Sequence, residues 1–101
     1  MICLKTEYKV KSEYVAEVKR AIAEFVAAVH EKESGTKRYE AYVHPDGVSF
    51  THLMAFENKT AEELHRNTPH VKKFVSVLYP VCEHEPVFTR LERIGETSFG
   101  A

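Results

Sequence analysis

Residues 36–56, TKRYEAYVHPDGVSFTHLMAF, contain two strand-like runs separated by a short polar segment. The segment holds Pro-Asp-Gly at 45–47, a combination typical of a tight turn between antiparallel strands. If Val43 lies opposite Val48, one face of the resulting hairpin is mostly apolar and should be the inner one. That face carries Tyr39, Ala41, Val43, Val48, Phe50, His52, Met54 and Phe56.

The opposite face of the predicted hairpin has a mixed character. It is too apolar in its middle for a freely solvated surface and too polar for an ordinary core. Such a composition is typical of a wet interface between two copies of one chain. The face carries Arg38, Glu40, Tyr42, Ser49, Thr51, Leu53 and Ala55.

The residues before the hairpin predict a strand followed by a long helix. Residues 2–10 alternate between apolar and polar side chains, which indicates a strand with one apolar face. Apolar residues then recur at spacings of three and four from Val15 to Val29, which indicates an amphipathic helix. Ser12 can cap this helix, and Gly35 is expected to end it in the left-handed conformation.

After the hairpin, the sequence predicts two helices and a last strand. Residues 60–63 fit a capping box at the start of a short helix. Thr68 can cap a second helix with Pro69 in its first position, and Pro80 should end it. Residues 87–94 alternate between charged and apolar side chains and predict the final strand.

The resulting β-α-β-β-α-β order is the ferredoxin-like split βαβ plan of the α+β class, a four-stranded antiparallel sheet with helices on one face. A chain of 101 residues is long enough for one domain, which we predict over residues 1–101. The second face of the sheet needs a cover. Two such sheets packed face to face in a homodimer would form a dimeric α+β barrel.

Composition argues against several classes of partner. The chain has 14 Lys and Arg against 15 Asp and Glu without a basic cluster, so nucleic acid is not expected. No apolar run approaches the roughly 18 residues of a membrane span, and residues 1–5 lack a signal-peptide layout. We therefore expect no membrane contact and a cytoplasmic location. Cys3 and Cys82 have no metal-type spacing and are expected to be free thiols.

His52 is the most informative candidate for chemistry, because it lies mid-strand on the apolar face between Phe50 and Met54. A buried imidazole needs a hydrogen-bond partner or a cavity. Tyr8, Tyr39 and Thr6 place hydroxyl groups on the same face. Such a cluster is typical of a small-molecule pocket. A core histidine satisfied by its neighbours is the alternative.

His65 and His70 flank Thr68 and Pro69, so one should close a helix and the other should lie in the first turn of the next. The positive end of that helix could stabilise an anion or an enolate. The alternative is that both are surface residues beside a helix break. The six histidines form no HxH or HExxH pattern, so no metal site is expected.

Three segments together resemble the antibiotic biosynthesis monooxygenase family. They are ESGTKRYE at 33–40, FENK at 56–59 and, above all, HRNTPHVK at 65–72. Their order and spacing make the resemblance span nearly the whole chain. It implies a homodimer, a dimeric α+β barrel and a pocket between the helices and the sheet of each subunit.

Members of that family include quinol monooxygenases that use molecular oxygen without metal, flavin or haem. In them the deprotonated aromatic substrate itself passes an electron to oxygen. The resemblance therefore implies no cofactor, and a base supplied by His52, His65 or His70. Tyr8 and Tyr39 would orient the substrate in this scheme. The pocket would be kept dry by Phe50, Met54, Phe56 and Phe74.

Two other functions stay open, since a fold does not specify its reaction. One branch of the family isomerises a phosphorylated sugar and also carries His-x-x-Thr-Pro-His, so an isomerase or tautomerase of a small polar or phosphorylated metabolite is one alternative. Arg66, Lys72 and Lys73 could supply its anion site.

The second alternative is a non-catalytic dimer that binds a small molecule. The haem-degrading branch is not expected, because the chain has no Trp and holds Tyr8 where that branch has Asn.

Replacing Leu53 with Glu tests the predicted dimer, because Leu53 lies in the middle of the mixed face. A carboxylate buried there without a partner should shift the protein toward monomer and lower its stability as well. The apolar area hidden by two paired faces stabilises the dimer by about 25 cal/mol per Å². Light scattering should report a dimer for the unmutated chain and a smaller species for Leu53→Glu. An unmutated chain that is monomeric at micromolar concentration would contradict the dimer and the barrel.

Overall fold

The computed structural model describes residues 1–97, and the last four positions of the predicted domain, 98–101, lie outside the described residues. The element order is β-α-β-β-α-β with two consecutive helices in the second helical position, as predicted. Short 3₁₀ turns, Ser12–Tyr14 and Tyr79–Val81, precede the first helix and follow the third. The helices and strands are β1 Ile2–Lys9, α1 Val15–Lys32, β2 Thr36–Val43, β3 Ser49–Phe56, α2 Lys59–Arg66, α3 Pro69–Leu78 and β4 Val87–Leu91.

The four strands form one sheet in the order β2-β3-β1-β4, and every neighbouring pair is antiparallel. β1 and β3 are therefore central, whereas β2 and β4 are edge strands. This topology confirms the predicted α+β, ferredoxin-like fold. β4 ends at Leu91, three residues before its predicted end, and β1 ends at Lys9 with Val10 in an isolated bridge to Cys82.

The register of the hairpin differs from the prediction. Val43 pairs with Phe50 and not with Val48, because the turn is longer than Pro-Asp-Gly alone. The carboxylate of Asp46 accepts hydrogen bonds from the backbone N–H of Val48 and Ser49, at 3.0 and 2.8 Å, and so fixes the turn up to the first residue of β3. The shift amounts to two residues, which is the period of a strand, so the side chains within β2 and β3 keep their predicted faces, whereas Val48 lies in the turn.

The core lies between the helices and the inner face of the sheet. α1 and α3 turn their apolar stripes toward the central strands, as the periodicity predicts. The main cluster consists of Tyr8, Val10, Val18, Phe25, Val29, Phe50, Phe74 and Leu78. A smaller cluster of Met54, Phe56 and Ala61 lies under α2. On the opposite sheet face Tyr42 and Val87 stay about half exposed. Within residues 1–97, no helix is long and apolar enough to cross a membrane.

Two of the three predicted helix caps are wrong. Ser12 starts a 3₁₀ turn and makes no capping hydrogen bond, so α1 begins at Val15. α2 is not capped by Thr60, because the side chain of Asn58 accepts the backbone N–H of Ala61 at 2.9 Å. The cap of α3 is confirmed, with Thr68 accepting a hydrogen bond from the N–H of Val71 and proline following it.

Gly35 is required for a reason other than the predicted left-handed helix end. Among the described residues, the glycine with positive φ is Gly47, so Gly35 does not adopt the left-handed conformation. The helix α1 ends instead with Glu33 in the extended conformation. A Cβ at Gly35 would lie 2.6 Å from the Cβ of Ala61. Its carbonyl also accepts the N–H of Glu57 at 2.8 Å. Glycine therefore lets the start of β2 pass close to the first turn of α2.

Replacing Gly35 with Ala should lower the free energy of unfolding by about 1–3 kcal/mol, the range for overpacking a close contact. Ala61→Gly should cost about 1 kcal/mol by itself, because glycine weakens a helix. The double variant removes the clash and should lose less stability than the sum of the two single losses. Urea unfolding of all four proteins measures the coupling, and strict additivity would contradict the close contact.

Candidate active site

A cavity of about 460 Å³ lies between α1, α2, α3 and the inner face of the sheet. Its walls are mostly apolar, with a few convergent polar groups, which is the usual make-up of a small-molecule site. Other depressions, around Met1 and Arg93, are more open to solvent. The cavity is lined by Leu4, Thr6, Tyr8, Phe25, Tyr39, His52, Met54, Phe56, Glu62, His65, Arg66, Val71, Phe74, Val75, Leu78, Tyr79, Pro86 and Phe88.

The structure brings together most of the residues that the sequence singled out. Those in the wall are Tyr8, Tyr39, His52, Met54, Phe56, His65 and Phe74. Phe50 is not in the wall, because it lies in the core and stacks on the ring of Tyr8 with centroids 5.3 Å apart. His70 is not in the wall either, and its Nε2 contacts the carboxylate of Glu33.

His52 lies on β3 between Tyr8 of β1 and Tyr39 of β2, because the pleat of these three neighbouring strands directs all three side chains to the inner face. Its Nε2 is 2.7 Å from the hydroxyl of Tyr8, and its Nδ1 is 2.8 Å from the hydroxyl of Tyr39. Only 1% of the residue is exposed, and burial lowers the pKa of His52 to about 4. The imidazole is therefore neutral at pH 7, and both ring nitrogens have partners.

The two tyrosines are neutral as well. Burial, with smaller effects of Tyr39 and Cys82, raises the pKa of Tyr8 well above its usual range. Burial and the neighbouring Glu33 carboxylate raise the pKa of Tyr39 in the same direction. Tyr8, His52 and Tyr39 thus form a hydrogen-bonded chain, the Tyr-His-Tyr triad, without net charge.

Glu33, the residue that follows α1, is the centre of a second network. Its Oε1 accepts hydrogen bonds from Nδ1 of His65 at 2.7 Å and from the hydroxyl of Thr36 at 2.6 Å, and its Oε2 accepts one from Nε2 of His70. Burial by itself would raise the pKa of Glu33. The hydrogen bonds from Thr36 and His70, together with His65, outweigh burial and lower that pKa. A buried carboxylate is thus kept ionised.

His65 receives opposite effects from its surroundings. Burial lowers the pKa of His65, and the nearby Glu33 carboxylate opposes this only in part. The ring is therefore neutral at pH 7, with the proton on Nδ1 donated to Glu33. Nε2 then carries a lone pair and has no hydrogen-bond partner among residues 1–97, while the ring forms part of the cavity wall. This is the geometry of a general base with an orienting carboxylate.

Sequence reasoning missed the role of Glu33. The residue lies 32 positions before His65 and 37 before His70, so no local spacing connects them. The one available signal was the position of Glu33 in the segment that resembles the family. The structure also contains an unpartnered polar group in the cavity wall, since Oγ1 of Thr6 is buried without a hydrogen bond among the described residues.

Charged side chains also contribute to the cavity wall. Glu62 and Arg66 of α2 belong to the wall, and Arg90 of β4 approaches the carboxylate of Glu62 to 3.6 Å. Lys72 and Lys73 are exposed, and Lys73 pairs with Glu24 on α1. Within residues 1–97, no three His, Cys, Asp or Glu side chains are grouped so that they could hold a metal ion.

A sequence model described as antibiotic biosynthesis monooxygenase matches residues 1–77. The chain belongs to the antibiotic biosynthesis monooxygenase family. The match covers β1 to α3 and therefore includes Glu33, the Tyr-His-Tyr triad and His65. A search of curated protein sequences finds no match to this family member.

Solved structures share the fold of this family member at low sequence identity. A crystal structure of an antibiotic biosynthesis monooxygenase is 16% identical, with TM-score 0.86 over 94% of this chain and 100% of that one. Rv0793 from Mycobacterium tuberculosis is 15% identical, with TM-score 0.85 over 96% and 98%. A conserved protein from Methanosarcina mazei Go1 is 19% identical, with TM-score 0.83 over 91% of each chain. At these identities the likeness shows the fold alone.

Acid should destabilise this family member through His52. The folded-state pKa of His52 is below its unfolded value, so its contribution is fully present above about pH 6.5 and is lost as pH falls toward 4. By linkage, this residue should account for a loss of about 3 kcal/mol in the free energy of unfolding across that window. Urea unfolding at several pH values measures the loss.

His52→Gln removes the titrating group and should give a flatter dependence of stability on pH, whatever its stability at neutral pH. His30→Gln changes an exposed histidine of α1 and is the matched control, which should keep the wild-type dependence. Equal slopes for the wild type and His52→Gln would contradict a buried, neutral His52.

Proposed function

We propose that this protein is a monooxygenase that oxidises a small quinol- or phenol-type aromatic with molecular oxygen, without metal, flavin or haem. His65 is the general base in this proposal, and Glu33 orients it. The observation that carries the proposal is the lone pair of His65 Nε2 at the cavity wall, opposite an Nδ1–H that an ionised Glu33 holds. Membership of the family supports the reaction class.

The other two candidate bases are less suited to proton abstraction. His52 has both ring nitrogens engaged by tyrosines, and its protonation would place an imidazolium in a site with 1% exposure. His70 directs Nε2 to Glu33 and is not part of the cavity wall. His65 is better suited, because its ring lies in the cavity wall and contacts an ionised carboxylate. That carboxylate fixes the tautomer of His65 and also stabilises the imidazolium formed during the reaction.

The proposed reaction begins when His65 Nε2 takes the proton of an aromatic hydroxyl. The resulting anion passes one electron to oxygen, and the two radicals combine at a ring carbon. His65 returns its proton to the resulting peroxide, and loss of water then leaves a carbonyl at that carbon, so one oxygen atom enters the product and the other leaves as water. Met54, Phe56 and Phe74 would exclude bulk water from these intermediates.

The homodimer is part of this proposal. Tyr42, Val87 and Leu91 remain exposed on the sheet face away from the helices, beside the partly buried Leu53. A second copy paired on this face would cover them in a closed, twofold arrangement. Such a pair would be the dimeric α+β barrel expected from the sequence.

An isomerase or tautomerase is the second candidate, and one observation favours it. Arg66 belongs to the cavity wall, where it could pair with an anionic substrate. Lys72 and Lys73 are exposed and lie outside that wall, so a phosphate would have fewer cations than the sequence suggested. Proton exchange from a substrate without oxygen uptake would favour this candidate. Retention of an unaltered aromatic after purification would favour the non-catalytic dimer.

Oxygen uptake by metal-stripped protein with naphthols, anthrones and quinols tests the monooxygenase. His65→Gln should reduce kcat/KM about 10²- to 10⁴-fold, the usual contribution of a general base. His30→Gln, on the exposed side of α1, is the control and should retain activity. The proposal fails if none of these compounds supports uptake, or if His65→Gln is as active as His30→Gln.

The pH profile tests the role of Glu33. Activity should rise with pH through the lowered pKa of His65 and then become constant, because only the neutral ring accepts a proton. Glu33→Gln removes the charge that opposes this lowering, so the rising limb should move to lower pH. The plateau should also fall about 10-fold or more, because the imidazolium loses its counter-ion. An unchanged profile would contradict the pairing of Glu33 with His65.

A further inference from the structure

The Tyr-His-Tyr triad has more hydrogens than it can use internally. Tyr8 and Tyr39 each have one hydroxyl hydrogen, and a neutral His52 has one N–H, which makes three. The two hydrogen bonds within the triad use two of these hydrogens. The third always belongs to a tyrosine hydroxyl and must point away from His52.

The tautomer of His52 decides which tyrosine has the free hydrogen. With the proton on Nδ1, Tyr8 donates to Nε2, His52 donates to the oxygen of Tyr39, and the hydroxyl of Tyr39 is a free donor. With the proton on Nε2, both directions reverse and the hydroxyl of Tyr8 is the free donor. One end of the triad is therefore a donor, while the oxygen at the other end offers only lone pairs.

Both ends of the triad lie in the cavity wall, where few other groups can satisfy them. Tyr8 and Tyr39 line the cavity, and neither hydroxyl has a further hydrogen-bond partner among residues 1–97. Thr6 lies directly opposite His52 in the β1–β3 register, and its Oγ1 is buried and unpartnered. Within the described chain, this part of the cavity has two unused donors, the free tyrosine hydrogen and the hydroxyl hydrogen of Thr6, and several unused acceptors. A ligand that supplies the complementary groups would satisfy it.

We propose that the Tyr-His-Tyr triad is a neutral proton relay that selects aromatic ligands with both a hydroxyl and a carbonyl group. The ligand hydroxyl donates to the tyrosine that offers lone pairs, and the ligand carbonyl accepts from the other tyrosine. The choice of an aromatic ligand rests on the proposed function. The binding of that ligand by the two tyrosines does not depend on the reaction with oxygen.

The relay can also move a proton without forming a charge. A proton leaves the ligand hydroxyl for the oxygen of Tyr8, and the original hydrogen of Tyr8 passes to Nε2 of His52. The hydrogen on Nδ1 then passes to Tyr39, whose own hydrogen is delivered to the ligand carbonyl. One O–H bond of the ligand breaks and another forms, so the ligand tautomerises and His52 exchanges its tautomer. The neutrality of all three groups suits a buried, apolar site.

Three para-substituted probes of similar size separate the two ends of the triad. 4-Hydroxyacetophenone has a hydroxyl and a carbonyl, 4-methoxyacetophenone lacks the hydroxyl, and 4-ethylphenol lacks the carbonyl. Titration calorimetry under nitrogen should give an affinity for the first probe about 10-fold above either of the others, the value of one net hydrogen bond. Equal affinities for the three probes would overturn the proposal.

Tyr8→Phe and Tyr39→Phe each remove one end of the relay and should abolish the advantage of 4-hydroxyacetophenone over at least one of the other two probes. Tyr14→Phe, which alters a partly exposed tyrosine before α1, is the matched control and should preserve it. A role of the triad in core stability alone would lower the unfolding midpoint of both variants and leave the preference unchanged. That result would overturn the proposal.

Nitrogen-15 spectra of the histidine rings test the relay in the unmutated protein, so the outcome does not depend on whether the Phe variants fold. His52 should be neutral at pH 7, and 4-hydroxyacetophenone should shift its tautomer population. An imidazolium, or one tautomer that no probe changes, would overturn the relay. Absence of oxygen uptake with preserved probe selectivity would refute the proposed function alone, and His65-dependent uptake without selectivity would refute the relay alone.

Discussion

The buried carboxylate of Glu33 is the interaction on which the site depends. An ionised group with only 7% of its side chain exposed needs several hydrogen bonds, and Glu33 receives them from β2, α2 and α3. These bonds connect the end of α1 to the two helices after the hairpin. Without the carboxylate, His65 and His70 would have no common partner, and the break between α2 and α3 would only change the direction of the chain.

Two histidines of one cavity thus acquire different chemistry from their neighbours. His52 contacts two neutral hydroxyls, so burial dominates and lowers the pKa of the ring to about 4. His65 contacts a carboxylate, which partly opposes burial and leaves one ring nitrogen free at the wall. Residue type and exposure are nearly the same, and the bonded partner makes the difference. The pocket consequently combines a neutral hydrogen-bonding surface with a single oriented base.

Close packing supports this arrangement as much as polar contacts do. Phe25 of α1 stacks on Phe74 of α3 with ring centroids 4.8 Å apart and contacts the edge of Tyr39. Gly35 lets β2 approach α2, the helix that carries His65. Because a closely packed interior transmits small displacements, a change at either position should alter the geometry of the base.

The sequence by itself determined the element order, the sheet faces and the helix break at Thr68, because these depend on local periodicity and on proline geometry. Even the two-residue error at Val43 left His52 and Tyr39 on the correct face, since the strand period is two. Only the tertiary structure decided that Glu33 meets His65, that Asn58 caps α2 and that Gly35 is needed for a close approach. The first and third contacts join residues that are distant in the sequence, so no local spacing predicts them. The second is a choice between two local capping residues, Asn58 and Thr60, which the folded backbone makes.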